Sequence, residues 1–223
     1  MQLIRYCDDF IVCCKSKVDA RKFLKALIDR LKKFNLEVAK DKTKIIKFGR
    51  FVWKDWKEGK NRPETFTFLG FTHYCATSRQ GKFKVGYKTS RENIRRKLLD
   101  IKVWFKKVKD FIPLQEWWPI LRIKLLGHYQ YFGISGNYCC LDKFYWQVVG
   151  MSFKYINERS QRKSMSWDKF HKFLRENPLP IPKIYHNLYK PSPYGKYFVE
   201  EPCVGKSQAR FCGGNHNNEA FRN

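Results

Sequence analysis

Near its start the sequence reads Leu3-Ile4-Arg5-Tyr6-Cys7-Asp8-Asp9-Phe10-Ile11-Val12-Cys13-Cys14, a pair of adjacent acids between two apolar runs. The β-branched and aromatic residues of these runs predict two strands of a hairpin, with Asp8 and Asp9 at its tip. Side chains alternate between the faces of a strand, so both carboxylates share a direction only if a tight turn re-aims one of them. Clustered carboxylates suit Mg²⁺, and two such ions can stabilise the oxygens of a phosphoryl transfer. The alternative is that Asp-Asp only forms the turn.

The composition indicates a polyanionic partner. The 223 residues include 46 basic and 20 acidic ones, which gives a net charge of +26, and 17% of the residues are aromatic. Basic and aromatic residues mixed in this way favour nucleic acid, with a membrane surface as the competing polyanion. The sequence has no apolar run of membrane-spanning length and no signal segment before the first predicted strand. We therefore expect a soluble, cytoplasmic protein that is associated with nucleic acid.

The cysteines argue against a disulfide framework or a zinc site. Four of the eight cysteines form the vicinal pairs Cys13/Cys14 and Cys139/Cys140, and no C-x-x-C pair is present. Reduced and mostly buried thiols are the better interpretation. His216 lies in a Gly/Asn-rich stretch without partner ligands, so we expect a polar tail and no C-terminal endonuclease.

Changes in the spacing of apolar residues along the chain predict the other helices and strands. Ser16 caps a helix that stops near Asn35, and the apolar and polar residues that follow predict first a strand and then a loop. Two further strands and four helices are expected beyond this loop. The strand after the first helix ends the segment 36–48, and the loop covers 49–65. The two later strands cover 66–74 and 82–88. The four helices run from an N-cap at Thr89 to Pro113, from about Gln115 through Tyr129, after Asn137, and after an N-cap at Ser166.

The most basic stretch includes the first of these four helices. Residues 82–109 carry eleven Lys/Arg against two acids, Glu92 and Asp100. A helix with so much charge of one sign repels itself unless a partner neutralises it, so a phosphate-tracking face is favoured over a merely solvated one. The candidate RNA contacts lie mainly off the apolar stripe and are Arg91, Arg95, Arg96, Lys102, Lys106 and Lys109.

Four motifs occur in the order found in one family. Tyr6-Cys7-Asp8-Asp9 resembles the Y-x-D-D palm motif of reverse transcriptases, and it is followed by Lys42-Thr43-Lys44. Phe68-Leu69-Gly70-Phe71 is similar to the F-L-G-F of the primer-grip hairpin. Residues 121–132 resemble the L-x-x-x-L-x-G-x-x-x-Y-F motif of the maturase (X) domain of group II intron proteins. Over about residues 3–185 the chain therefore resembles the C-terminal half of a group II intron-encoded reverse transcriptase/maturase.

This resemblance implies an α+β fold in three parts. Residues 1–88 would form a partial reverse-transcriptase palm with a β-hairpin, a helix and a small antiparallel sheet that includes the primer grip. Residues 89–177 would form an all-α thumb/maturase domain, and 178–223 a Pro/Gly-rich C-terminal tail. Gly70 inside a strand would admit nucleic-acid backbone, and Gly127 would permit a close helix approach. The implied catalytic and Mg²⁺-binding residues are Asp8 and Asp9; the implied primer or substrate contacts are Tyr6, Phe68, Leu69, Gly70 and Phe71.

The resemblance also implies partners and leaves alternatives open. In the family, Asp8 would hold two Mg²⁺ ions together with a further Asp upstream of Y-x-D-D, so that a primer 3′-hydroxyl attacks the nucleotide. We expect group II intron RNA and a DNA primer or target as partners, and a separate N-terminal reverse-transcriptase segment as a further one. This chain alone is expected to show no polymerase activity. The alternatives are an autonomous RNA-binding maturase module and an inactive fragment.

Overall fold

Two small sheets precede a run of helices in the computed structural model, which describes residues 1–39, 41–159 and 165–188. The sheets have the strand orders β1-β2 and β3-β4-β5, and the predicted α+β class is confirmed. The chain divides into two compact units, and the boundary between them falls within β5, after Gly86. The elements are β1 (Gln2–Tyr6), β2 (Asp9–Cys13), α1 (Lys17–Lys32), α2 (Arg50–Lys57), β3 (Phe66–Phe68), β4 (Phe71–Thr77), β5 (Phe83–Thr89), α3 (Arg91–Val108), α4 (Leu114–Phe132), α5 (Tyr138–Glu158) and α6 (Trp167–Glu176).

The first unit begins with a hairpin and a helix that lack a core. The strands β1 and β2 are antiparallel, with Ile4 opposite Ile11, as the two apolar runs predicted. Ser16 caps α1 by accepting a hydrogen bond from the backbone N–H of Asp19. None of the described residues before 49 is buried, and the side chain of Leu3 is 59% exposed. Apolar side chains of this segment therefore face solvent.

Residues 49–65 correct the expectation of an irregular loop, because α2 lies within them. Its charged sequence has no side-chain cap, so the local signal for a helix is weak. Tertiary contacts stabilise it: Trp53 donates from Nε1 to Thr77 Oγ1 at 3.2 Å and packs on the ring of Phe83. The prediction of a strand at the end of 36–48 is also wrong, because residues 44–48 are not part of any sheet.

The long strand predicted over 66–74 is divided by a turn. Phe68 and Phe71 pair with each other across β3 and β4, and Leu69 and Gly70 form the two-residue connection. Both connecting residues have positive φ, 49° and 78°, which is the conformation of a tight hairpin turn. Gly70 therefore lies in a turn rather than inside a strand, because glycine adopts positive φ without a steric cost.

The cysteines depart from the expectation of mostly buried thiols. All six cysteines among the described residues are free, as predicted, but only Cys75 is buried, and Cys7 and Cys139 are exposed. The vicinal pairs lie at a strand end and at the start of a helix, where one side of each element faces solvent. Cys203 and Cys212 lie outside the described residues.

The second unit is built around aromatic packing between its helices. Phe105 of α3 stacks on Tyr155 of α5 with ring centroids 5.1 Å apart, and it meets Trp117 of α4 edge-on at 5.4 Å. The side chains of Phe105, Trp117 and Tyr129 are fully buried. Tyr129 and Phe132 are core residues. Gly127, where we expected a close helix approach, is exposed and has open space around it.

The beginning of α3 differs from the prediction. The N-cap is Ser90, whose hydroxyl accepts from the N–H of Asn93, and not Thr89. Thr89 ends β5 and is bound by the buried side chain of Asn137, which precedes α5. The Asn137 amide accepts from the Thr89 N–H and donates to Thr89 Oγ1 and to the Phe132 carbonyl, all at 2.8 Å. One amide thus joins the start of α3, the end of α4 and the start of α5.

Residues 178–188, which we assigned to the tail, lie in the second unit and are hydrogen-bonded to the loop between α4 and α5. The Gly133 carbonyl accepts from the N–H groups of Tyr185 and His186 at 2.7 and 2.9 Å. A Cβ at position 133 would contact the carbonyl oxygens of Tyr129 and Lys183, so this close approach requires glycine. The rest of the predicted tail, 189–223, including His216, lies outside the described residues.

We predict that Asn137→Ala destabilises the protein by about 3 kcal/mol, because it removes three hydrogen bonds and leaves the buried Thr89 N–H without its acceptor. Asn177→Ala is the matched control, since this side chain is exposed and makes one long hydrogen bond of 3.4 Å to Phe173. Urea unfolding followed by circular dichroism measures both variants. Equal effects of the two substitutions would show that the Asn137 amide has no special structural role.

Stability should fall in acid because of buried histidines. Burial, and secondarily the charge of Lys97, lowers the pKa of His128 to about 4 from 6.5. The unfolded chain therefore binds a proton that the folded chain excludes, and up to about 3 kcal/mol is lost as the pH falls from 6.5 towards 4. Burial lowers the pKa of His73 to about 4 as well. His128→Phe should reduce the loss of stability between pH 7 and 4.5, whereas His171→Phe at an exposed position should not; an unchanged pH profile for His128→Phe would contradict this.

Candidate functional site

The two adjacent acids lie at the tip of the β1–β2 hairpin. Tyr6 pairs with Asp9, so Cys7 and Asp8 are the two connecting residues. Cys7 has a positive φ of 51°, and its carbonyl accepts from Nε of Arg5 at 2.6 Å. Asp8 therefore lies in the turn itself, and Asp9 is the first residue of β2. Both carboxylates are exposed, and a ligand in solution can reach them.

The chemistry of this pair fits one class of metal site. Carboxylate oxygens are hard ligands, and Mg²⁺ is commonly held by one or two carboxylates, with waters and substrate phosphates in its other positions. Over the described ranges, no three His, Cys, Asp or Glu side chains are grouped so as to hold a metal ion. Asp8 and Asp9 can therefore provide part of a Mg²⁺ site that substrate oxygens or another segment would complete.

Two groups of predicted substrate contacts lie on hairpins. Tyr6 is directly opposite Asp9, and since paired residues share a face of the sheet, its 62% exposed side chain lies beside that carboxylate. Phe68, Leu69, Gly70 and Phe71 form the tip of the β3–β4 hairpin and are all half-buried. The structure therefore brings Tyr6 to the acids and collects the other four residues at a second hairpin.

Four of the six predicted RNA contacts lie along one side of α3. Their spacing of four, seven and four residues keeps them on one helical face, and all four are exposed. They are Arg91, Arg95, Lys102 and Lys106.

The other two predicted contacts are placed differently. Arg96 lies about a third of a turn away from this face and donates to Asn93 Oδ1 at 2.5 Å. Lys109 is 21% exposed and forms ion pairs with Asp110 and Glu158 at 3.7 and 3.6 Å. Its ammonium group is therefore less accessible to RNA than the four exposed cations.

A second basic element, missed in the sequence, lies beside α3. The helices α3 and α5 run parallel, since Thr89 meets Asn137 at their starts, while Phe105 meets Tyr155 and Lys109 meets Glu158 near their ends. Glu158 also pairs with Lys154 at 3.7 Å, which places Lys154 at the edge next to α3. Lys143 lies three turns before Lys154 on the same exposed face.

We call these exposed cations the basic strip. It follows two parallel helices, and a row of cations at helical spacing can track a nucleic-acid backbone. Lys143 and Lys154 lie in a part of the sequence with few other charges. Their eleven-residue spacing in the helix predicted after Asn137 places them on one helical face, and this spacing could have identified them as a pair. The basic strip consists of Arg91, Arg95, Lys102 and Lys106 on α3 and Lys143 and Lys154 on α5.

The comparisons with known proteins identify the first part of the chain. Residues 1–73 match the family model described as reverse transcriptase (RNA-dependent DNA polymerase). The match includes the hairpin with Asp8 and Asp9 and extends to β4. The chain therefore contains a segment related to reverse transcriptases, and a polymerase of this kind acts on nucleic acid. No curated protein and no solved structure matches the chain.

Among the described residues, none of the helices combines the length and the apolar character needed to cross a bilayer.

Proposed function

We propose that this chain is the C-terminal part of a group II intron-type RNA-directed DNA polymerase/maturase, which binds intron RNA for splicing and retrotransposition in the cytoplasm. The reverse-transcriptase match over 1–73 supports the polymerase lineage. The observation that carries the RNA-binding role is the basic strip, which consists of six exposed cations on two parallel, neighbouring helices. The maturase-like motif of 121–132 lies on α4 in the same unit.

In this proposal Asp8 and Asp9 contribute to a Mg²⁺ centre. Bound Mg²⁺ would neutralise the charge that develops on the attacking and leaving oxygens of phosphoryl transfer. The two carboxylates would hold the ions, and Tyr6 beside Asp9 would contact the substrate. The turn at Phe68–Phe71 would contact the primer.

The exposure of the hairpin supports a further protein partner. Leu3 and Phe10 are 59% and 41% exposed, and an isolated two-stranded sheet is only marginally stable in water. A separate N-terminal reverse-transcriptase segment would cover these side chains, add strands to the open edges and supply a third acid. The cations of the second unit would bind intron RNA, and the complete polymerase would bind a DNA primer.

A second candidate function is an autonomous RNA-binding maturase module. The observation that favours it is the contrast in burial: the second unit has a fully buried aromatic core, whereas no described residue before 49 is buried. The second unit thus has the contacts it needs to fold, with or without a working polymerase centre. Under this alternative the hairpin is an inactive remnant.

We predict that the double variant Arg95→Glu/Lys102→Glu weakens binding to structured intron RNA at least about tenfold. The slope of log affinity against log salt should fall by about two, because two phosphates are no longer neutralised by the protein. The matched control is Arg96→Glu/Lys107→Glu, which changes the net charge equally on the other side of α3. Fluorescence anisotropy over a range of salt concentrations measures both slopes. Equal effects of the two double variants would mean that net charge, and not the basic strip, governs binding.

We predict that the chain alone does not extend an oligo-dT primer on poly-rA with Mg²⁺ above the level of Asp8→Asn. Two exposed carboxylates cannot by themselves fix the octahedral shell that Mg²⁺ demands. Nucleotide incorporation is measured by gel electrophoresis of labelled primer. Robust extension by the wild-type chain that disappears in Asp8→Asn would show that no partner segment is needed.

A further inference from the structure

Trp146 is the most exposed of the seven tryptophans. Its side chain is 57% exposed, whereas Trp117 is fully buried and Trp167, at 49% exposure, is covered on one side by the ring of Phe153 at 3.8 Å. An exposed tryptophan costs hydrophobic free energy, since a large apolar surface stays in water. The helix α5 does not need this side chain for its core, which consists of residues on its opposite face.

The neighbours of Trp146 leave the indole accessible, and two lysines lie on the same helix, with Asp142 one turn before the indole. Lys143 and Lys154 lie on either side of it along the solvent face of α5, and Gly150 lies one turn after it. Helical side chains lean towards the N-terminus, so a side chain at position 150 would cover the ring. A Cβ at Gly150 would contact nothing within 4 Å, which confirms that this space is open. Tyr145 supports the indole from one side, with ring centroids 5.2 Å apart.

We propose that Trp146 is a stacking platform for an unpaired base of single-stranded RNA whose phosphates follow the basic strip. This inference rests on the proposed RNA-binding function and specifies its substrate class. An indole stacks on any base, and the flanking lysines favour a partner that combines flat aromatic rings with negative charge. Paired bases in a duplex are stacked on one another and cannot reach the ring, so the platform selects single-stranded segments.

The test compares binding of a fluorescent twelve-nucleotide oligo-U with binding of an RNA duplex of the same length. Trp146→Ala should weaken binding to oligo-U by about 5- to 150-fold, the range expected for the removal of one stacking partner. Its affinity for the duplex and its salt slope should not change, since every cation of the basic strip is kept. Trp146→Phe keeps an aromatic ring and should retain most of the affinity. Phe111→Ala removes a side chain that is 84% exposed on the same unit and is the matched control.

The possible results separate the platform from the proposed function. If the wild type binds neither RNA, the RNA-binding function fails, and the platform fails with it. If the wild type binds both RNAs with a steep salt dependence and Trp146→Ala changes nothing, or weakens both equally, only the platform is overturned. A shift from dimer to monomer in Trp146→Ala, with oligo-U binding unchanged, would assign the indole to contact with a second copy of the chain and would also overturn the platform.

Discussion

The side-chain amide of Asn137 is the constraint on which the second unit depends. The amide accepts from the N–H of Thr89 at the end of β5 and donates to the carbonyl of Phe132 at the end of α4. Asn137 is itself the N-cap of α5. Because Thr89 is buried, removal of the amide would leave its N–H without an acceptor, whereas the Phe132 carbonyl would retain the N–H of Ile134 as a donor. The starts of α3 and α5 are therefore held together, and the parallel packing of these helices makes the two cation-bearing helices of the basic strip neighbours.

The two units differ in what stabilises them. Aromatic rings pack in the second unit with centroids about 5 Å apart, as for Phe105 and Tyr155 at 5.1 Å, and the cations stay at the surface. In the first unit, burial begins only with Gly49 and includes His73 and Cys75 of the β3-β4-β5 sheet. The reverse-transcriptase match over residues 1–73 includes the hairpin and α1, none of whose residues is buried.

Sequence reasoning succeeded where the signal was local. Ser16 and Ser166 each cap a helix, and the Asp-Asp pair lies at a hairpin tip, because these features depend on a few adjacent residues. Sequence reasoning failed where tertiary contacts determine the local structure. The helix α2 is stabilised by the hydrogen bond from Trp53 to Thr77. Thr89, the predicted N-cap of α3, instead binds the side chain of Asn137. The alternation in 66–74 concealed a turn, since both sides of Leu69-Gly70 are strand-like. The cations of α5 were missed because their relation to α3 is set by packing between distant helices.

The central claim is that a carboxylate hairpin of the reverse-transcriptase type is joined in one chain to a helical RNA-binding surface. The most direct measurement is photo-crosslinking of the full chain to 4-thiouridine-labelled intron RNA, with crosslinked peptides identified by mass spectrometry. We predict that crosslinks concentrate in 91–106 and 143–154, on the basic strip. Crosslinks concentrated in α6, or spread over the surface in proportion to lysine and arginine content, would contradict the claim.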